Sequence, residues 1–238
     1  MKPKFRLAAV LVLLCCSIAL QAQEIKKYFT TEELPDLIQC LPAPPAEDSD
    51  AFRYDVQRYE WGKLQRADSL RADMACRDAG WTYESLVEEL KVPFGVNISR
   101  EATPCIWTVL ERSLKTVEQI RVAPKAYFHR IRPFEYFNEP TLSGEDDWLR
   151  GEGSYPSGHT IRAWLVAMLL SEINPAEANA IYARAWQSGE SRVIAGAHWQ
   201  TDVDASRVAA AIGYARLQTS GDFRDDMARA QEEFCSLK

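Results

Sequence analysis

Apolar positions recur along this chain three or four residues apart, and nowhere does a convincing period-two alternation stand between hairpin turns. From Asp50 to Ala79, Phe52, Val56, Tyr59, Leu70 and Met74 mark one helical face, and only Gly62 interrupts it before Gly80 ends the run. The pattern predicts a long helix broken near Gly62. Thr82 opens a shorter helix to about Lys91, and Pro104 opens another whose stripe of Ile106, Val109, Leu110, Leu114 and Val117 reaches towards Ile120. Thr160 to Ile173 is almost wholly apolar and predicts a buried helix. Asn174-Pro175 is a cap followed by proline, opening a helix through Trp186. Asp202 to Leu217 and Asp222 to Phe234 complete the set. Leu41 to Pro45 is extended because each proline fixes its own φ and restricts its predecessor. Glu135 to Gly153 is polar and rich in Gly, Asp and Asn, so it predicts a loop, and one placed to shape leaving-group preference. The expected fold is all-α, a single helical-bundle domain.

The N-terminus has a different pattern. Lys2, Lys4 and Arg6 precede an apolar run from Leu7 to Leu20 interrupted only by Ser17. This is the layout of a secretory leader over residues 1–22, with the catalytic domain at 23–238. The run is shorter than the roughly 20 residues that cross a bilayer. An uncleaved anchor is the alternative, because Leu20 is large for a position three residues before the cut at Ala22. No other stretch approaches a span in length without charges.

Charge and cysteines narrow the function further. The leader holds three of the 28 basic residues and none of the 34 acidic ones, leaving 25 against 34 and a formal charge of −9. That surface argues against a nucleic acid polymer or anionic lipid as the main partner. Cys40, Cys76, Cys105 and Cys235 follow the leader and allow two bridges in three connectivities, or buried thiols. Their wide spacing, with only three histidines in the chain, argues against a structural metal.

Three short blocks combine residue types that bind or react with a phosphoryl group. The first is Lys125, six residues, then Arg132-Pro133; the second is Pro156-Ser157-Gly158-His159; the third is Ser191-Arg192, five residues, His198, three residues, Asp202. Phosphoryl transfer needs cations on the equatorial oxygens, a nucleophile in line and an acid opposite it. Arg132 and Arg192 offer planar forks and Lys125 a compact charge. Ser157 and Gly158 precede an apolar helix, whose N-terminal amides attract an anion. Asp202, one helical turn after His198, can accept the proton on one ring nitrogen and leave the other free for attack. Asp202 is also a candidate N-cap. His159 lacks such a partner and is the general acid. The opposite protonation demands predict a bell-shaped pH profile with its maximum on the acid side.

These blocks resemble the signature of the type 2 phosphatidic acid phosphatase and vanadium haloperoxidase superfamily. The string Gly153 to Thr160 is similar to the mark of the class A bacterial nonspecific acid phosphatases. The likeness extends through Leu41 to Asp48, Tyr54-Asp55 and Ser191 to Asp204, nearly all of the chain after the leader. It implies a helical bundle, a periplasmic location, broad use of small phosphomonoesters, no metal or other cofactor, no membrane after leader removal, and a homodimer. By position it implies phosphate ligands at Lys125, Arg132, Ser157, Gly158 and Arg192, an acid at His159, a phosphohistidine-forming nucleophile at His198 and an orienting carboxylate at Asp202. His129 and Arg130 are not signature positions and read as rim or structure. The rivals are a vanadate-dependent haloperoxidase, a peripheral lipid-phosphate phosphatase and a non-catalytic phosphate-binding protein.

Overall fold

The computed structural model describes residues 25–237; the predicted leader at 1–22 lies outside them. Among the described residues the regular elements are all helical: α1 (Leu37–Cys40), α2 (Asp50–Gln65), α3 (Ser69–Arg77), α4 (Tyr83–Phe94), α5 (Pro104–Val117), α6 (Val122–Phe128), α7 (Pro133–Tyr136), α8 (Asp146–Leu149), α9 (Gly158–Ile173), α10 (Ala178–Ile194), α11 (Gln200–Leu217) and α12 (Gly221–Ser236). No helix among them is long and apolar enough to cross a membrane.

The most apolar segment of the sequence becomes the axis of the bundle. Ile161, Leu165, Val166, Leu169, Leu170 and Ile173 of α9 are all buried, on every side of the helix, because α4, α5, α10, α11 and α12 pack around it. Truncating any one of those leucines to alanine costs about 2–5 kcal/mol. The N-terminal end of this rigid helix is where the second sequence block lies.

The structure departs from the sequence reading at four places. Gly62 does not break the first helix; it is buried within α2, where a Cβ would stand 2.9 Å from the carbonyl oxygen of Val193 in α10. The chain turns instead just before Asp68, whose carboxylate caps α3 by accepting from the amides of Leu70 and Arg71. α10 continues past Trp186 to Ile194 and so carries Ser191 and Arg192 on a helix. The polar segment 135–153 contains the last two residues of α7 and all of α8, helices too short to leave an apolar period in the sequence. Cys40, Cys76 and Cys235 are exposed free thiols and Cys105 a half-buried one, so among the described residues they form neither the possible bridges nor the buried thiols that were the alternative.

Candidate active site

His198 owes its place to the way α10 ends. Gly196 has φ of +78°, a left-handed conformation that other residues rarely adopt, and the amides of Ala197 and His198 both bond back to the Arg192 carbonyl at 3.1 and 3.2 Å. This turn sets the spacing between Arg192 and His198. It is braced from outside, because the amides of Phe134 and Leu142 donate to the carbonyls of Gly196 and Ala195.

Asp202 is not the N-cap of α11; it is the third residue of that helix, and Trp199 is the cap. Its Oδ2 accepts from the Trp199 amide at 2.9 Å, reaching back as a capping-box acid does. The same oxygen stands 3.4 Å from His198 Nδ1 and accepts the Ser154 hydroxyl proton. On the other side of the ring, Arg132 Nη1 lies 3.1 Å from His198 Nε2 and also donates to the Ala197 carbonyl at 2.9 Å. A guanidinium only donates, so Nε2 must hold a lone pair and the proton of the neutral ring sits on Nδ1.

The first block folds over this imidazole. Arg132 Nε donates to the Glu152 carbonyl at 3.0 Å, and both Arg132 and Lys125 reach the Gly153 carbonyl. Lys125 and Arg132 are almost fully buried. Ser157 is the N-cap of α9 and accepts from the amide and hydroxyl of Thr160. Its capping role uses the oxygen's lone pairs and leaves its own proton to donate. The first amides of α9, at Gly158 and His159, have no carbonyl within the helix. His159 Nε2 lies 3.1 Å from the Ala79 carbonyl, so Nε2 carries a proton and Nδ1 is the atom left for acid–base work.

Arg192 is wholly buried, and its Nη2 is paired with both carboxylate oxygens of Glu145 at 3.0 and 2.8 Å. Its Nε and Nη1 have no partner, so two donor atoms remain for an incoming anion. Glu145 was invisible to sequence reasoning, since an acid in a polar loop carries no signal of its partner.

Arg130, read as rim or structure, holds a structural place: it is the charge that faces Asp202. Its Nη1 donates to Asp202 Oδ1 and to Thr201 Oγ1, and its Nη2 to Asp55 Oδ2 at 2.6 Å. Asp55 also accepts from the amide and hydroxyl of Thr201. Arg130, Asp55 and Asp202 are all buried. His129, by contrast, ends α6 in a left-handed conformation.

The electrostatics divide this cluster into two halves. Burial and the Arg132 charge push the His198 imidazole well below its ordinary pKa, against the pull of Asp202. Burial, Arg192 and His198 do the same to His159. Burial and Arg132 also lower Lys125, and burial with Arg192 brings Arg132 down to about 10. Asp202 goes the other way: burial opposes its charge, yet Arg130 together with His198 and Ser154 holds it below the usual carboxylate range. A cavity lined by Arg121, Lys125 and Arg132, with Glu152 at its wall, is therefore backed by a carboxylate that stays ionised.

His198, His159, Lys125, Arg132 and Gly158 line one cavity of about 300 Å³. Arg192, whose charge reaches both His159 and Arg132, is buried, as are Ser157 and Asp202, and none of the three is among the residues lining it. All eight residues drawn from the sequence thus gather at one end of α9. Among the described residues no three or more His, Cys, Asp or Glu side chains stand together as a metal's ligand set.

Comparison with known proteins places the chain in a family. The model of the PAP2 superfamily matches residues 109–222, which include every one of the eight. Non-specific acid phosphatases from Salmonella typhi and Salmonella typhimurium are each 39% identical over 214 residues, 89% of this chain and 85% of theirs. This chain belongs to the bacterial non-specific acid phosphatases of the PAP2 superfamily. The family's relative in Providencia stuartii is 35% identical over 89% of this chain and 86% of its own. Around the site of this PAP2 phosphatase, Arg130 and Ser154 hold Asp202, and Glu145 holds Arg192.

Proposed function

We propose that this chain is an acid phosphatase that hydrolyses a broad range of phosphate monoesters through a phosphohistidine on His198. The observation that carries the reading is the pair of imidazoles in one cation-lined cavity, with His198 Nε2 kept unprotonated as the acceptor of an Arg132 N–H, which substrate oxygens would draw away.

In the first step His198 Nε2 attacks phosphorus. The bond between phosphorus and the leaving oxygen breaks, and that oxygen takes a proton from His159 Nδ1. Lys125, Arg132, Arg192, the Ser157 hydroxyl and the first amides of α9 neutralise the equatorial oxygens. Positive charge gained by His198 is balanced by Asp202 through Nδ1. In the second step water attacks the phosphohistidine, its proton passes to His159, and the P–N bond breaks to release phosphate and restore His198.

The lowered pKa of both imidazoles fits catalysis in acid. His198 stays neutral, and so nucleophilic, at pH values where a free imidazole would be charged. His159 must be protonated, which low pH and the negative charge of bound phosphate both favour. Hydrolysis of alkyl phosphates should therefore fall as pH rises towards neutral. His159→Ala should lose on the order of 10²–10⁴ in kcat for alkyl leaving groups and much less for 4-nitrophenolate, which departs without a proton. Equal losses for both esters would remove His159 from the role of acid.

A panel of soluble and detergent-dispersed phosphate esters, run across pH, tests the activity itself. Soluble monoesters should be preferred over phosphatidate, with no halide oxidation when vanadate is added. The cations come from side chains, so prolonged dialysis against a chelator should leave the rate unchanged. Inhibition reversed by a divalent ion would contradict this account. The same proposal includes a periplasmic location, supported by the basic and apolar residues at 1–22, and a homodimer; cell fractionation and light scattering test them.

A further inference from the structure

We infer that the cavity continues into an aromatic slot, walled by Trp81, Trp148 and Arg121, that binds phosphomonoesters whose leaving group is a flat aromatic ring. The inference rests on the reading of His198 as nucleophile and His159 as acid.

In-line attack places the leaving group on the side of phosphorus opposite His198, which is the side of His159. The residues that border His159 there are aromatic. Trp81 meets the His159 ring edge to face, with centroids 4.7 Å apart and planes at 69°. Trp148 lies 6.1 Å beyond it, tilted at 60°. The Arg121 guanidinium stands 4.9 Å from the Trp81 ring, and its Nε is buried without a partner. All three line the same cavity as the two histidines. None belongs to the phosphate-binding blocks.

Trp148 is the telling residue, since an indole left 56% exposed contributes little to folding. Its mounting is nevertheless firm. Glu145 is tied to Arg192, Asp146 accepts from the amide and hydroxyl of Thr141 at 2.9 Å each, and Leu149 is buried beside Phe134. A rigidly held, solvent-facing indole at the mouth of a phosphate cavity presents an open ring face. Indole faces and a planar guanidinium attract aromatic rings by quadrupole and cation–π terms that a saturated ring of equal size does not gain.

Benzylphosphonate and cyclohexylmethylphosphonate share their carbon count and attachment and differ in having a flat aromatic or a puckered saturated ring, and the P–C bond of neither is hydrolysed. Calorimetric titration of the wild type should give a Kd about three- to tenfold lower for the benzyl compound. Trp148→Ala should bring the two values together while leaving the Kd of inorganic phosphate unchanged, and Trp148→Phe should keep most of the difference. A wild-type ratio below two would overturn the slot. So would a preference that survives in Trp148→Ala, or a weakening of inorganic phosphate as large as that of the benzyl compound, which would make Trp148 only an anchor for α8. Binding is read without turnover, so a failure of the phosphatase reading would appear separately, as absence of hydrolysis by a wild type that still discriminates the two ligands.

Discussion

His198→Ala should bind inorganic phosphate and vanadate and turn over no ester. The nucleophile is a single atom, Nε2, and among the described residues lining this cavity no other imidazole has an unprotonated nitrogen on one side and a carboxylate on the other. Loss of a covalent nucleophile costs on the order of 10⁵–10⁶ in kcat. Binding should survive because the anion is held by other groups. Lys125, Arg132, Arg192 and the N-terminus of α9 stay in place, and Arg132 keeps its bonds to the carbonyls of Ala197, Glu152 and Gly153. Asp202 likewise keeps Ser154, the Trp199 amide and Arg130, so the substitution leaves no buried charge unpaired. Rapid quench with labelled ester should trap an acid-labile, alkali-stable phosphoryl group on the wild type and none on the variant. Residual turnover above about one per cent, or a trapped group on the variant, would move the nucleophile elsewhere.

The eight residues of the three blocks were legible from residue type and close spacing more than from local structure. Ser157-Gly158-His159 reads as a helix start, whereas the helix end and glycine turn between Arg192 and His198 emerged only in the folded chain, the sequence pattern having stopped α10 at Trp186. Their chemistry is also specific to type: guanidinium and ammonium for anions, imidazole for attack and proton transfer. The residues that escaped sequence reading act through distant partners. Glu145 meets Arg192 across 47 positions, Ser154 meets Asp202 across 48, and Arg130 meets Asp55 across 75. Nothing local in a single chain announces such pairs. The helices followed the same rule. Long apolar periods such as α5 and α9 were readable throughout, while the short α7 and α8 and the interior role of Gly62 depend on contacts made only after the chain has folded.

Arg130→Met should shift the acid limb of the rate profile upward, and this separates a positioning role from a merely structural one. With Arg130 present, Asp202 stays ionised well into acid, where it can hold the Nδ1 proton of His198. Without that charge, burial dominates and the carboxyl takes a proton at higher pH. A protonated Asp202 no longer balances the charge on His198, so kcat should begin to fall at least about one pH unit sooner as the medium is acidified. KM should change little, because Arg130 is bonded to Asp55, Asp202 and Thr201 and is not among the residues lining the cavity. Stability must fall as well. Two buried carboxylates lose their shared cation, a loss of about 3–5 kcal/mol, or on the order of 10 °C in Tm. Arg130→Lys, able to meet one carboxylate, should recover part of both effects. Asp55→Asn provides the decisive control, since it removes a partner of Arg130 and of Thr201 but leaves the Arg130–Asp202 pair intact. It should lower Tm with the acid limb unmoved. If the methionine variant behaved the same way, with Tm lowered and the limb fixed, Arg130 would be scaffolding and Asp202 would owe its ionisation to His198 and Ser154 alone.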